Sequence, residues 1–150
     1  FGDPETQVLM PLLDSDLFEL LYACARGELE EVRGGKVVGK TALEWNGGSA
    51  ACVVLASRGY PGPYRTGYPI YEAPVPEDLA GDSWVFHSGT AHGEGGITTA
   101  GGRVLGVTAR GATIEEAIER AYARAALVDF EGKTFRRDIA RRELARLGKA

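Results

Sequence analysis

Residues Ala50-Ala51-Cys52-Val53-Val54-Leu55-Ala56-Ser57 decide the reading of the fold. A short uncharged run centred on two valines and a leucine has the length and make-up of a buried strand. Glycines and prolines punctuate it on both sides. Gly47-Gly48 precedes it, and Gly59-Tyr60-Pro61-Gly62-Pro63 turns the chain rigidly after it. Toward the C-terminus, Trp84 to Thr90, Ile97 to Thr99 and Arg103 to Ala109 read in the same way, so residues 36 to 111 are expected to be mostly sheet.

The pattern then changes period. Thr113-x-x-Glu116 is a capping box, in which side chains satisfy backbone donors left open at a helix start. Ile114, Ala117, Ile118, Ala121, Tyr122 and Ala125 follow at helical spacing, which predicts a helix to about Val128. An arginine-rich segment after the Glu131-Gly132 turn forms a further helix. Toward the N-terminus, Leu17, Leu20, Leu21 and Cys24 mark a helix over residues 14 to 26. Asp14 or Ser15 is available as its N-cap, and Gly27 terminates it. The charged stretch Glu28 to Glu31 and the Gly34-Gly35 pair place a subdomain boundary between residues 27 and 40. Helices and strands in separate runs make the class α+β.

A composition of 44% hydrophobic and 25% charged residues is that of an ordinary soluble globular protein. No apolar run approaches the ~20 residues that cross a bilayer. The net charge of −4 gives no general attraction to nucleic acid, so neither nucleic acid nor membrane is an expected partner. Arginines 136, 137, 141, 142 and 146 make the tail an exception that favours either an anion or simply a solvated helix end. Cys24 and Cys52 lie in apolar patterns and read as reduced and buried, with the cytoplasm as compartment.

Phe1-Gly2-Asp3-Pro4-Glu5-Thr6-Gln7 is the most informative stretch for chemistry. Two carboxylates flank a proline directly before a helical segment. They can orient a cation or an amine, or can merely cap the helix, with Asp3 or Thr6 as cap and Glu5 in the first turn. The string resembles the signature of glycinamide ribonucleotide synthetases, an arginine followed by Phe-Gly-Asp-Pro-Glu-x-Gln, lacking only the arginine. Further blocks look like family blocks in family order. They are Val53 to Pro61, Val85 to Thr90, Gly101 to Thr108 and Phe135 to Ile139. The resemblance covers nearly the whole chain.

The resemblance implies the rest. Family members join glycine to 5-phosphoribosylamine through glycyl phosphate, with ATP and Mg²⁺ as cofactors, in de novo purine biosynthesis. It implies that residues 1–35 are the helical end of an ATP-grasp domain and that residues 36–150 are a strand-rich hybrid-motif C-terminal domain with about two helices. Metal ligands and nucleotide-clamping strands lie upstream in the family, so no catalytic and no metal residue is assigned here. Because its first residue is not methionine, the chain is expected to be the C-terminal portion of a longer ligase and inactive alone. Asp3, Pro4, Glu5 and Thr6 map onto the signature as one substrate-side wall. Gly101, Gly102 and Arg103 are assigned to the ribosyl phosphate, since backbone amides and a guanidinium suit an anion. Gly101-Gly102 reads equally as a hairpin turn.

Other motifs fail on spacing. Gly93-x-Gly95-Gly96 lacks the ending of a P-loop and reads as a mobile turn. His87 and His92 have no companions at zinc spacing, and Ser88 has no nucleophile elbow around it. Tyr60 to Tyr64 reads as a rigid surface turn. The alternative class is a non-catalytic hybrid-barrel binding or assembly module. A biotin carrier is excluded because Lys36, Lys40, Lys133 and Lys149 have no methionine beside them. Leu9, Leu12, Leu13 and Phe18 are expected to be exposed without a partner, which is either a second copy or the N-terminal portion of the same enzyme.

Overall fold

In the computed structural model the apolar run is the strand β3, Ser49–Ser57, and its antiparallel partner is β8, Arg103–Gly111. The structure describes residues 2–33 and 36–148. The two strands pair from Ser49 opposite Gly111 to Leu55 opposite Leu105. Flanked by β5, Ser83–His87, and β10, Lys133–Thr134, they form a four-stranded sheet in the order β10-β3-β8-β5.

Alternation along β3 assigns the two faces. Ala51, Val53 and Leu55 are buried against α3, Ile114–Ala126. Ala117, Ala121 and Ala125 of α3, each completely buried, recur every four residues and bring the helix close to the sheet. Val104, Leu105, Val107, Ala109, Val128 and Phe130 complete this core. The predicted Thr113 cap is present: the Glu116 amide donates to Thr113 Oγ1 over 3.3 Å, while the Glu116 carboxylate reaches one residue beyond a capping box and accepts from the amide of Ala112 at 2.7 Å. On the opposite face Cys52, Val54 and Gly106 lie toward α1, Glu5–Leu9.

Residues 36 to 111, expected to be mostly sheet, carry little strand between β3 and β5. Only β4, Tyr71–Glu72, is a strand there, paired with β9, Val128–Asp129. Prolines and glycines at positions 59, 61, 62, 63, 67 and 69 withhold donors or demand turns, so the segment is fixed by loop hydrogen bonds instead. The Trp84 to Thr90 run divides into β5 and β6, Thr90–Gly93, and β6 forms a hairpin with β7, Gly96–Thr99. The Gly93-x-Gly95-Gly96 cluster is the tight turn of that hairpin. The arginine-rich tail forms α4, Arg141–Arg146.

Chain neighbours divide the molecule into two units, residues 1–11 with 48–150, and residues 12–47. The smaller unit holds α2, Leu17–Arg26, and the hairpin of β1, Glu31–Arg33, with β2, Lys36–Val38. Its N-cap is Asp16, which accepts from the Glu19 amide at 3.0 Å, and not Asp14 or Ser15. Ser15 Oγ instead accepts from the amide of Glu44. Leu20 and Ala23 are the buried positions of α2, while Leu21 and Cys24 are exposed, so Cys24 is not the buried thiol expected. Phe18 is 70% exposed and stacks on Tyr22, also exposed. Leu12 and Leu13 are half-buried rather than exposed.

Candidate functional site

The two stretches singled out in the sequence meet. Arg103 Nε lies 3.1 Å from Asp3 Oδ2, and Arg103 Nη1 donates to the Asp3 carbonyl at 2.9 Å. One hundred residues apart in sequence, they are brought together by a β-bulge. Leu55 pairs with Leu105, but Ala56 pairs with Arg103, so β8 carries one extra residue. A one-residue shift exchanges faces. Val104 is therefore fully buried, and Arg103 shares with Ala56 the face that receives α1.

Further side chains complete the junction. Ser88 Oγ donates to Asp3 Oδ1 at 3.3 Å, and Gln7 Nε2 donates to the same oxygen at 3.2 Å. Gln7 Oε1 accepts from the Cys52 thiol at 3.5 Å. Burial pushes the Cys52 thiol above its ordinary value; a hydrogen bond with Thr108 opposes this, and the Asp3 charge adds to it. The Gln7 amide fits because position 106 is glycine. A methyl group there would lie 1.7 Å from Gln7 Oε1.

Pro4 is the N-cap of α1 without a side-chain cap, so neither Asp3 nor Thr6 caps that helix. Glu5 is exposed and Thr6 half-buried in its first turn. Gly101 and Gly102 join β7 to β8, strands that do not pair with each other, so the pair is not a hairpin turn. Their carbonyls are held by Ser57, whose hydroxyl donates to Gly101 O at 2.9 Å and whose amide donates to Gly102 O at 2.8 Å. Gly102 is packed beneath Tyr60, where a methyl group would come 2.1 Å from the ring.

Gln7, Ser88, Cys52 and Gly106 were not among the residues singled out for a site. Gln7 and Ser88 stood inside quoted blocks, but only the register shows that both reach Asp3. His87 Nδ1 lies 2.9 Å from Thr90 Oγ1. In the tail, Arg136 is paired with Asp138 and Arg146 with Glu143, while Arg141 and Arg142 line a cavity of about 610 Å³. Among the described residues no three His, Cys, Asp or Glu side chains converge as a metal site, and Asp3 is already paired with Arg103. These residues do not fit a magnesium ion. No described helix is long and apolar enough to cross a membrane.

Fold and junction define an α+β domain whose two-faced sheet packs a helix on one side and holds an acidic N-terminal segment on the other. Residues 50–142 match the family model described as phosphoribosylglycinamide synthetase, C domain, and the chain belongs to that family. Phosphoribosylamine–glycine ligase of Rhizobium meliloti is 48% identical over 97% of this chain. The chloroplastic ligase of Arabidopsis thaliana is 46% identical over 96%. The crystal structure of phosphoribosylamine–glycine ligase from Thermotoga maritima superimposes with a TM-score of 0.71 at 38% identity over 92% of this chain and 31% of that one. The chain spans about a third of the curated relatives it matches, 32% of the Rhizobium protein and 26% of the Arabidopsis one.

Proposed function

We propose that this chain is the C-terminal part of an ATP-dependent ligase that joins glycine to 5-phosphoribosylamine in purine biosynthesis, forming glycinamide ribonucleotide, ADP and phosphate. The observation that carries the reading is the identity across nearly the whole chain with ligases named for those substrates. In this reading residues 1–35 end the ATP-grasp domain and residues 36–150 form the C-terminal domain. ATP and Mg²⁺ are held by the upstream portion, and the protein works in the cytoplasm.

Asp3, Pro4, Glu5 and Thr6, together with Gly101, Gly102 and Arg103, form one wall of the substrate pocket. Support comes from the Arg103 bonds to Asp3, which join the two stretches into a single surface. The wall's own contribution is positioning. A segment tied at its carboxylate and its carbonyl presents the neighbouring Glu5 and Thr6 in one orientation, which lowers the entropy lost on binding. The exposed stacked pair Phe18 and Tyr22, with Leu17 and Leu21, is the face on which the N-terminal portion of the enzyme packs.

The test is ADP release with glycine, ATP, Mg²⁺ and freshly generated phosphoribosylamine, on this chain alone and after adding a separately expressed upstream portion of a relative. Activity on recombination only is the expected result. Failure of both arms, with both pieces folded and associated, would leave the non-catalytic assembly module as the better reading.

A further inference from the structure

The sheet order β10-β3-β8-β5 leaves two edges, and they differ. β10 is two residues long and begins with Lys133, the short, charged kind of edge that resists further pairing. β5 has five residues, Ser83-Trp84-Val85-Phe86-His87, with no lysine, carboxylate or proline among them. The nearest charge before it, Asp82, is neutralised by Arg110 at 2.8 Å and Arg120 at 3.5 Å, and the next after it is Glu94.

Alternation along the ladder defines what the β5 edge offers. The Arg110 amide donates to Asp82 O at 2.8 Å and the Ser88 amide to Val104 O at 3.1 Å, with Trp84 opposite Thr108 and Phe86 opposite Gly106 between them. Residues 82, 84, 86 and 88 therefore direct their N–H and C=O groups at β8, and Ser83, Val85 and His87 direct theirs outward. Among the described residues those outward groups meet no hydrogen-bond partner. Val85 packs its side chain on the α3 core, whereas Trp84 and Phe86, on the other face, are half-buried.

We propose that β5 pairs antiparallel with β5 of a second copy of this chain, joining two four-stranded sheets into one of eight strands. A two-fold axis through Val85 sets Val85 against the partner's Val85 and Ser83 against the partner's His87. Each of these residues points its backbone groups outward in the free chain, so each pair exchanges two hydrogen bonds. No other two-fold register of the strand against itself pairs as many of its residues. In the same register Trp84 faces the partner's Phe86 at the sites between the bonded pairs. Opposite Cα atoms come closest there, about 4.5 Å, and aromatic pairs add stability. A two-fold contact uses up the edge on both copies, so the assembly closes at the dimer. The pairing makes no use of the ligase reading.

The experiment is sedimentation velocity of the 150-residue chain over a wide concentration range, with amide hydrogen exchange as second readout. A reversible monomer–dimer equilibrium is expected, with no larger species. Exchange at Ser83, Val85 and His87 slows as concentration rises, while Trp84 and Phe86, bonded to β8, are slow throughout. His87→Pro removes an outward donor that the monomer does not use. It therefore weakens the dimer by about tenfold or more and leaves the circular dichroism of the monomer unchanged. Phe18→Ser, on the exposed face of α2, leaves the dimer intact. In a Cys24→Ser background, Ser83→Cys mixed with His87→Cys cross-links on oxidation and neither does so alone, because like positions lie more than about 13 Å apart across the axis. A monomer at every concentration would leave the edge to a different chain and overturn the proposal. A dimer undiminished by His87→Pro or lost in Phe18→Ser overturns it too, as does cross-linking of either cysteine variant alone.

Discussion

Replacing Gly106 by alanine tests the junction at its tightest point. The added methyl lies 1.7 Å from Gln7 Oε1 and 2.7 Å from Gln7 Cδ, but 3.3 Å from Cys52 Sγ. The sulfur need yield only slightly, whereas the glutamine amide must leave. Because the amide ends a flexible side chain, it can rotate out, and the cost is the loss of its contacts rather than overpacking of the core. Those contacts are the 3.2 Å bond to Asp3, the 3.5 Å bond to the Ser88 hydroxyl and the 3.5 Å bond from Cys52. At about 0.5–1.5 kcal/mol for an ordinary bond, three long ones at the low end of that range total about 1.5–2 kcal/mol. Removing glycine from a strand returns roughly 0.5 kcal/mol. The net loss is about 1 kcal/mol, a fall in Tm of about 2–4 °C for a chain of this size. Thermal unfolding of Gly106→Ala, Gln7→Ala and the double variant forms the assay. Once Gln7 is alanine, the remaining close contact is Cys52 Sγ at 3.3 Å, which need yield only slightly, so Gly106→Ala becomes close to neutral or stabilising. Equal cost in both backgrounds would refute the claim that Gly106 exists to admit Gln7.

Three other perturbations probe the frame around the junction. Ala121→Leu drives a larger side chain into the completely buried contact of α3 with the sheet, and denaturant melts should show a loss of at least about 1–3 kcal/mol. Thr113→Ala removes the α3 cap and costs about 1 kcal/mol, read in the same melts. The Cys52 thiol has a raised pKa in the folded chain, so its stabilising contribution is complete below the unfolded thiol value and is lost as pH rises through the folded one. Melting at rising alkaline pH should therefore show a decline that Cys52→Ala diminishes, and a thiol reagent should modify exposed Cys24 well before Cys52.

Elements whose evidence is local were legible in the sequence. β3 declares itself as an uncharged run, β8 as an apolar run between Arg103 and Arg110, and α3 by its capping box and its alanine stripe, because each is fixed by residues within one or two turns. The segment from Arg58 to Asp82 was legible only as the rigid turn at its start, because the hydrogen bonds that hold the rest run to distant groups such as Thr99 and Gly132. Asp14 and Ser15 were as good a cap for α2 as Asp16 by residue type. The choice turns on Glu44, which claims the Ser15 hydroxyl from far along the chain. Cys24 follows the helical apolar period but sits on an exposed face, since periodicity marks a stripe and not what covers it.

The junction shows why a site can be named from its residues and still not be drawn from them. Asp3 and Arg103 were both in view, one as a signature carboxylate and the other as a free anion ligand. Strict alternation from Gly106 would send Arg103 to the α3 face, where a charge would enter a core of valine, leucine and alanine. The bulge at Ala56 resolves that conflict by burying Val104 there and returning Arg103 to the side of Asp3. With side chains 43% and 33% exposed, the pair contributes at most about 1 kcal/mol to stability. Its larger effect is geometric. A guanidinium bonded to both the carboxylate and the carbonyl of Asp3 fixes the direction in which the chain enters α1, and so fixes the placement of Glu5 and Thr6.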